Sequence, residues 1–362
     1  MSQEENSNSS PSPEDTQFGS IGPGVGTTTE ENIFSVITLI IQWSIIVIGI
    51  FGVIGNILNI IAYVKLGFSE TIHMSYIAMT ITDLGTILTA MWMAVCSSSL
   101  VVENLLARYR IETDMAMFIG LTGSWPHLAF SKTTALLTAW ISLERCLCVT
   151  FPTTVKLLIT PRVTKVVLTT IAVLGCCPVA FVYNDLNIEM ISDPASNYST
   201  LLIYYNTDNN LSTPSKLVFS LYGAVYPVLS WITVSICAGF LIAKLQQSLK
   251  WRNENSGTNT GASFTRQRNM YRRETRVTRT VVVIACVFIV CSLPLSASLI
   301  AAAIDREYSA TGSLRSIFLA NAGISFLSSE INSSINIIVY AMTGSRFRAA
   351  LLEMCPASAC RM

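Results

Sequence analysis

Charge is the scarcest ingredient of this 362-residue chain: Asp, Glu, Lys and Arg make up 12% of it, against 51% hydrophobic residues and a mean hydropathy of +0.52. Soluble domains carry roughly 25% charged residues, so the shortage excludes a disordered chain, a nucleic-acid binder and an ordinary cytosolic enzyme. Histidine is nearly missing too. With only His73 and His127, no three-histidine metal centre can form. H-E-x-x-H, G-x-S-x-G and phosphate-cradling glycine motifs are absent, so no enzyme is expected. No internal repeat of the kind built into transporters is visible, and a multi-span transporter is the remote alternative. The first residues lack the charged and apolar regions of a cleaved signal peptide, so the first apolar block is expected to act as its own insertion signal. A disulfide framework is also missing despite ten cysteines. Cys146, Cys148, Cys176, Cys177, Cys237, Cys286 and Cys291 fall in apolar blocks or at their ends, Cys355 and Cys360 in the tail, and only Cys96 approaches the outer side.

What is present is length of apolar run. A helix needs roughly 20 mostly apolar residues to cross a bilayer. Ile33 to Val64, Leu217 to Ala243 and Thr280 to Ile304 meet that length without a charge, and Val166 to Tyr183 lies near the limit. Three more qualify with one charge each: Asp83 in Met74 to Val102, Lys132 in Met115 to Leu143, and Glu330 in Ile317 to Met342. Charges at bilayer depth are costly, so these three are expected to face the bundle interior. The fold class is therefore all-α: a seven-transmembrane helix bundle with a short amphipathic eighth helix after it. The spans are expected at about 33–64, 73–100, 115–149, 162–184, 215–249, 268–304 and 314–343. Residues 1–32 read as a disordered outer tail, 33–343 as the bundle, and 344–362 as amphipathic helix and inner tail.

The linkers set the orientation. Seventeen basic residues fall in the linkers after spans one, three and five and in the tail, against five on the other side. The bias puts the C-terminus in the cytoplasm and the N-terminus outside, in a multi-pass plasma-membrane protein. Glycan acceptors at Asn8, Asn197 and Asn210 lie on the predicted outer side. Cys355 and Cys360, behind the amphipathic stretch Ser345 to Met354, are candidates for palmitoylation, with inert tail cysteines the alternative.

Motifs now fall one per helix. Helix one has Gly55–Asn56, helix two Asp83, and helix three ends Leu143–Glu144–Arg145–Cys146 with Pro152 after it. Helix five has Pro227, helix six Phe288-x-x-Cys291-x-x-Pro294, and helix seven Asn332–Ser333-x-x-Asn336-x-x-x-Tyr340. In this order across seven spans, the chain resembles the rhodopsin-like G-protein-coupled receptors from about Ile33 to Cys355. The resemblance implies an extracellular ligand and a heterotrimeric G protein as partners, a lipid bilayer around the bundle and no nucleic acid. The stretch Ser142 to Pro152 with Val155–Lys156 and Ile159–Thr160–Pro161 is similar to invertebrate, gastropod-type chemosensory receptors, related to nematode serpentine chemoreceptors and FMRFamide-type peptide receptors. Chemosensory signalling is the implied role and a neuropeptide receptor the alternative.

The departures from the family are specific. Ile337 stands where helix seven has proline, implying a softer kink, and Ser292 stands where helix six has an aromatic toggle. Ser235 replaces the usual helix-five tyrosine, and helix four lacks its tryptophan. Gly120 replaces the cysteine at the top of helix three, and its loop partner is missing too. The absent disulfide is expected to leave the loop from Asn184 to Lys216 less restrained.

The resemblance also implies site residues. Glu144, Arg145, Glu274, Phe288, Pro294, Asn336 and Tyr340 would form the switch and coupling face. In it, Glu144 and Glu274 both hold Arg145, and Glu274→Ala raises ligand-free signalling; the alternative for Glu274 is a solvated charge among Arg272, Arg273 and Arg276. Asn56, Asp83, Thr134, Asn332, Ser333 and Asn336 would form an interior polar network, read either as an allosteric sodium site or as a protonated carboxyl in a hydrogen-bond network. No other cofactor is expected. Ligand-pocket candidates are His127, Ser131, Lys132, Tyr226, Ser292, Phe326 and Glu330. His127 stands where amine receptors keep an Asp, and Glu330 where opsins keep their lysine, which argues against a monoamine ligand and against retinal. His127 and Glu330 are expected to face each other across the pocket mouth, as a structural pair or with Glu330 receiving a cationic ligand group. Lys132 meets either an anionic ligand or a backbone carbonyl. Fifteen acidic residues on the outer side would attract cations, favouring a basic peptide or cationic odorant.

Overall fold

The computed structural model describes residues 28–354 apart from 69, 99–107, 109–110, 194–197, 206–211, 255–261, 306 and 310–311. Asn8, Asn197, Asn210, Cys355 and Cys360 lie outside the described residues, as does the side chain of Glu274. The frame is helical. The first helix, α1, spans Thr28–Leu66 and α2 spans Thr71–Cys96. The third, α3, runs from Met115–Ile119 through a π-helical turn at Gly120–Ser124 into Trp125–Thr150, and a short helix Pro152–Leu158 follows. The fourth, α4, comprises Pro161–Cys176 and, after the Cys177–Pro178 step, Val179–Asn184. Helix α5 runs from Thr213–Ser220 through a second π turn at Leu221–Val225 into Tyr226–Glu254, and α6 spans Ala262–Ile304. Helix α7 comprises Arg315–Ser334 and Asn336–Thr343, and the amphipathic α8 spans Ser345–Leu352.

Local chemistry sets these boundaries. Helix α1 stops at Gly67, whose φ of +82° suits glycine and whose N–H donates to the Tyr63 and Val64 carbonyls. Asp114 caps α3 by accepting the Ala116 and Met117 amides, and Thr160 and Ser212 cap α4 and α5 ahead of a proline in the first turn. At Ile335 the ladder in α7 tightens, with Ile338 N–H donating to the Ile335 carbonyl at 3.0 Å. Helix seven is therefore interrupted there without a proline, by one tightened turn.

The bundle buries charged side chains among its apolar core clusters and turns other apolar side chains outward. Asp83, Glu144 and Glu330 are 0% exposed and Lys132 is 5% exposed, whereas Ile40, Trp43, Val47, Val166, Ile236 and Val290 point outward. A water-soluble core has the opposite arrangement. By length and composition, α1, α2, α4, α5 and α6 are long and apolar enough to cross a bilayer. Helices α3 and α7 carry more Ser, Thr, Asn and charge, yet α3 is the one packed by α2, α4, α5 and α6 and so has little lipid face to present. Together they form an all-α, seven-transmembrane bundle.

Among the described residues of the loop from Asn184 to Lys216, β2 (Leu186–Asp193) and β3 (Tyr198–Tyr205) pair antiparallel, from Leu186 opposite Tyr205 to Asp193 opposite Tyr198. A third strand, β1 (Ile111–Thr113), adds parallel to β3, giving the order β1-β3-β2. None of the eight described cysteines forms a disulfide, so ladder hydrogen bonds are the restraint on the described part of this loop. Asp185 closes the base of the hairpin by accepting the Ser212 N–H at 2.9 Å. The Ser212 and Ser215 hydroxyls beside it hold the Asp185 carboxyl below the usual carboxylate range. Below, the "hairpin end" of the bundle carries this sheet and the "α8 end" carries the eighth helix.

Candidate functional site

Three polar layers lie along the axis. The middle one centres on Asp83 of α2, fully buried. Its Oδ1 accepts the Thr134 hydroxyl at 3.1 Å and its Oδ2 accepts Asn336 Nδ2 at 2.7 Å. Thr134 also bonds Thr82 Oγ1 at 2.8 Å, and the Ser333 hydroxyl interacts with the carboxylate. Asn56 Nδ2 donates to the Gly52 and Ser333 carbonyls, both at 2.9 Å, which ties α1 to α7 one turn away. Asn56 Oδ1 is buried with no hydrogen-bond partner among the described residues. Asn332 is half-buried and lines the adjacent cavity instead of reaching Asp83. The oxygens beside this carboxylate are the Thr134 and Ser333 hydroxyls, while Asn336 turns its amide nitrogen to it. A carboxylate with hydroxyl oxygens is a set that fits a hard cation.

At the α8 end, Glu144 is 0% exposed and triply engaged. Its Oε1 accepts the Thr71 hydroxyl at 2.6 Å and Arg145 Nη2 at 2.7 Å, and its Oε2 accepts the Ser75 hydroxyl at 3.3 Å. Thr71 and Ser75 sit one turn apart on α2, so their hydroxyls reach the same carboxylate. Helix α6 is tied to its neighbours differently: Thr280 Oγ1 donates to Thr343 Oγ1 at 2.7 Å and Arg276 to Ser345 Oγ at 2.8 Å. Tyr340 packs edge-on against Tyr63 at 5.2 Å and against Phe347 at 5.5 Å, while Tyr76 lies 4.9 Å away. A cavity of about 380 Å³ opens here, lined by Tyr63, Glu70, His73, Arg276, Tyr340 and Arg346 among others. Phe288 is buried among Ala135, Ala139, Val234 and Ala285. Six residues on, Pro294 removes one backbone donor from α6. The Ser292 and Ser296 hydroxyls donate to the Ile289 and Ser292 carbonyls, both at 2.9 Å, around that break.

Toward the hairpin end lies a smaller cavity of about 80 Å³ between α3, α5, α6 and α7. Of the candidate pocket residues, Ser131, Lys132 and Ser292 line it, together with Trp231, Phe288, Ser296, Ser325, Ser329 and Asn332. Ser131 Oγ lies 3.3 Å from Ser329 Oγ, across the gap from α3 to α7. The remaining candidates are elsewhere. Tyr226 turns to α4 and donates to the Leu174 carbonyl at 2.8 Å. His127 turns to α2, with Nδ1 3.2 Å from the Thr86 carbonyl, and packs edge-on against Phe326 at 5.0 Å.

Glu330 does not face His127 as expected. It is 0% exposed, lies against Gly49 of α1, and neither of its oxygens has a hydrogen-bond partner among the described residues. Helical phase is the reason. Adjacent helical residues point about 100° apart, so when Ser329, Asn332 and Ser333 face the cavity, Glu330 and Ser334 face α1. Sequence reasoning missed Thr71 and Ser75, which secure Glu144, and the cavity serines Ser296, Ser325 and Ser329. The helical spacing Ser325–Ser329 in α7 was a readable signal for the last pair.

A seven-helix bundle with an apolar exterior, in which Asp83 and Glu144 are bonded across helices, is the architecture of a multi-pass membrane protein. The chain belongs to the 7 transmembrane receptor (rhodopsin family), whose profile matches residues 55–340. No curated protein matches it. It is accordingly a G-protein-coupled receptor, not an enzyme, with an extracellular ligand and a G protein as its partners in general terms.

Proposed function

We propose that this receptor is chemosensory: it binds a small external chemical in the cavity between α3, α5, α6 and α7 and passes the signal to a heterotrimeric G protein at the α8 end. The size and lining of the cavity carry this reading. About 80 Å³, lined by serine hydroxyls and by apolar side chains such as Trp231, Phe288 and Leu295, suits a compact molecule better than a peptide. The basic bias of the linkers supports a plasma-membrane orientation with the hairpin end outside. In cells displaying an N-terminally tagged receptor at the surface, a panel of small water-soluble chemicals is expected to drive ligand-dependent nucleotide exchange. Activation by neuropeptides alone would assign the neuropeptide role instead.

The Asp83 layer is read as a sodium site that favours the inactive bundle. Asp83, Thr134 and Ser333 would hold the ion, and its charge would draw α2, α3 and α7 together. Ligand-free exchange in sodium is expected to fall about fivefold below that in choline at equal ionic strength, the low end of ordinary allosteric coupling. In Asp83→Asn the two salts are expected to give the same rate. Equal sodium sensitivity in wild type and Asp83→Asn would leave Asp83 as a structural hydrogen-bond acceptor.

A further inference from the structure

Lys132 is the buried charge that the mechanism above does not use. It is 5% exposed, lines the 80 Å³ cavity and makes no ion pair with a described residue. The other intramembrane charges are committed elsewhere. Both Asp83 oxygens accept hydrogen bonds from Thr134 and Asn336, and Glu330 is turned to α1. No Asp or Glu lines the cavity. The cavity that Lys132 lines also carries the hydroxyls of Ser131, Ser292, Ser296, Ser325 and Ser329 and the Asn332 amide, beside the apolar Trp231, Phe288 and Leu295. A buried ammonium without an anion is unfavourable, and hydroxyls satisfy its N–H groups without neutralising it. This cavity has the chemistry of an anion receptor missing its anion.

We propose that the ligand of this receptor carries a carboxylate, which Lys132 receives. The Ser131 and Ser329 hydroxyls, whose contact with each other is the one link they make across the gap among the described residues, turn to donate to its oxygens. The proposal rests on the reading of this cavity as the ligand site. The volume, room for roughly three waters, selects a short-chain carboxylate. The acidic outer surface does not oppose this. Its field is screened within about 8 Å at physiological ionic strength, whereas the Lys132 charge acts at contact on whatever the cavity holds. Surface charge would slow the approach of an anion without setting what the cavity holds.

The test uses full-length receptor purified in detergent, with thermal unfolding followed in sodium acetate, propionate and butyrate against sodium chloride at matched concentration. Butyramide and butanol serve as uncharged controls. Butyrate or propionate is expected to raise the unfolding midpoint saturably while butyramide does not. Lys132→Met is expected to raise the half-saturating concentration at least about tenfold, as loss of a charge partner does. Ser329→Ala is expected to raise it about fivefold, the usual effect of one neutral hydrogen bond. No shift beyond sodium chloride overturns the proposal, as does a shift unchanged in Lys132→Met. If Lys132→Met does not accumulate, the wild type still decides, because equal shifts from butyrate and butyramide overturn it. Nucleotide exchange is read separately. Carboxylate binding without exchange leaves the anion site standing and removes the receptor reading of the cavity. Exchange driven by an uncharged or cationic ligand, equally well in Lys132→Met, removes the anion site and leaves the receptor reading standing.

Discussion

Substituting Glu144 by alanine is expected to raise ligand-free nucleotide exchange several-fold and to lower the thermal unfolding midpoint of the purified receptor. The carboxylate is the hub of three contacts: Thr71 and Ser75 on α2 and the neighbouring Arg145. Its side chain is 0% exposed and that of Arg145 is 15% exposed, so removing it strands a largely buried guanidinium. Breaking a buried pair from one side costs about 3–5 kcal/mol. The loss falls on the arrangement in which Arg145 is folded back beside α2, so any state that turns Arg145 toward a partner protein gains population by comparison. Glu144→Gln keeps the acceptor for Thr71 and loses the charge, and is expected to fall between wild type and alanine in both measurements. The comparison with Glu274→Ala separates two latches. Helix α6 is held to α7 and α8 through Thr280–Thr343 and Arg276–Ser345, so Glu144→Ala is expected to have the larger effect on basal exchange. A larger rise in Glu274→Ala, with its midpoint unchanged, would move the latch to α6.

The difference between the two latches also shows what could be read from the chain and what could not. The seven helices are legible because a bilayer imposes length: each block between polar linkers is long enough to span, and caps such as Thr160 with Pro161 mark where helices start. The pairing of Asp83 with Asn336 is legible as a motif, although 253 residues separate the two. The direction of a side chain is not. Glu330 and Ser329 are adjacent in sequence and face different helices, and only the packed bundle fixes the phase that decides it. The Thr71–Glu144 bond joins residues 73 apart whose types carry no signal of each other. The β2–β3 hairpin had a local signal in Tyr198–Tyr205, rich in aromatic and β-branched residues. A missing disulfide gives no sign of the ladder that stands in its place. Charge shows the same limit, since the three intramembrane charges stand out in the sequence, but only geometry shows that Lys132 alone of them faces the open cavity.

Gly175 is a position in the α3–α4 contact where a single methyl is expected to be damaging. A Cβ there would collide with Thr133 Oγ1 on α3 and lie 3.2 Å from the Thr133 Cα, so side-chain rotation relieves only part of the clash. The Thr133 hydroxyl is itself bound to the Ala129 carbonyl at 2.7 Å and resists moving. Overpacking of this kind costs about 1–3 kcal/mol, against a helix-propensity gain near 1 kcal/mol for alanine over glycine. Gly175→Ala is therefore expected to lower the thermal midpoint, and Gly175→Leu to abolish surface display. Gly239 is the control. A Cβ added there meets nothing within 4 Å, so Gly239→Ala is expected to be neutral or stabilising. Thr133→Ala in the Gly175→Ala background removes the colliding oxygen and is expected to restore much of the midpoint, a non-additivity that identifies the contact. Equal midpoints for Gly175→Ala and Gly239→Ala would mean that α4 shifts freely on α3. The effect reaches the ligand site because the Tyr222 hydroxyl donates to the Gly175 carbonyl at 2.6 Å and Tyr226 to the Leu174 carbonyl at 2.8 Å. Those two bonds lock α5 to α4 next to Pro227 and Trp231, which wall the cavity. Displacing α4 thus moves the α5 wall away from Lys132, and in Gly175→Ala any carboxylate response is expected to weaken together with stability, whereas Gly239→Ala leaves it unchanged.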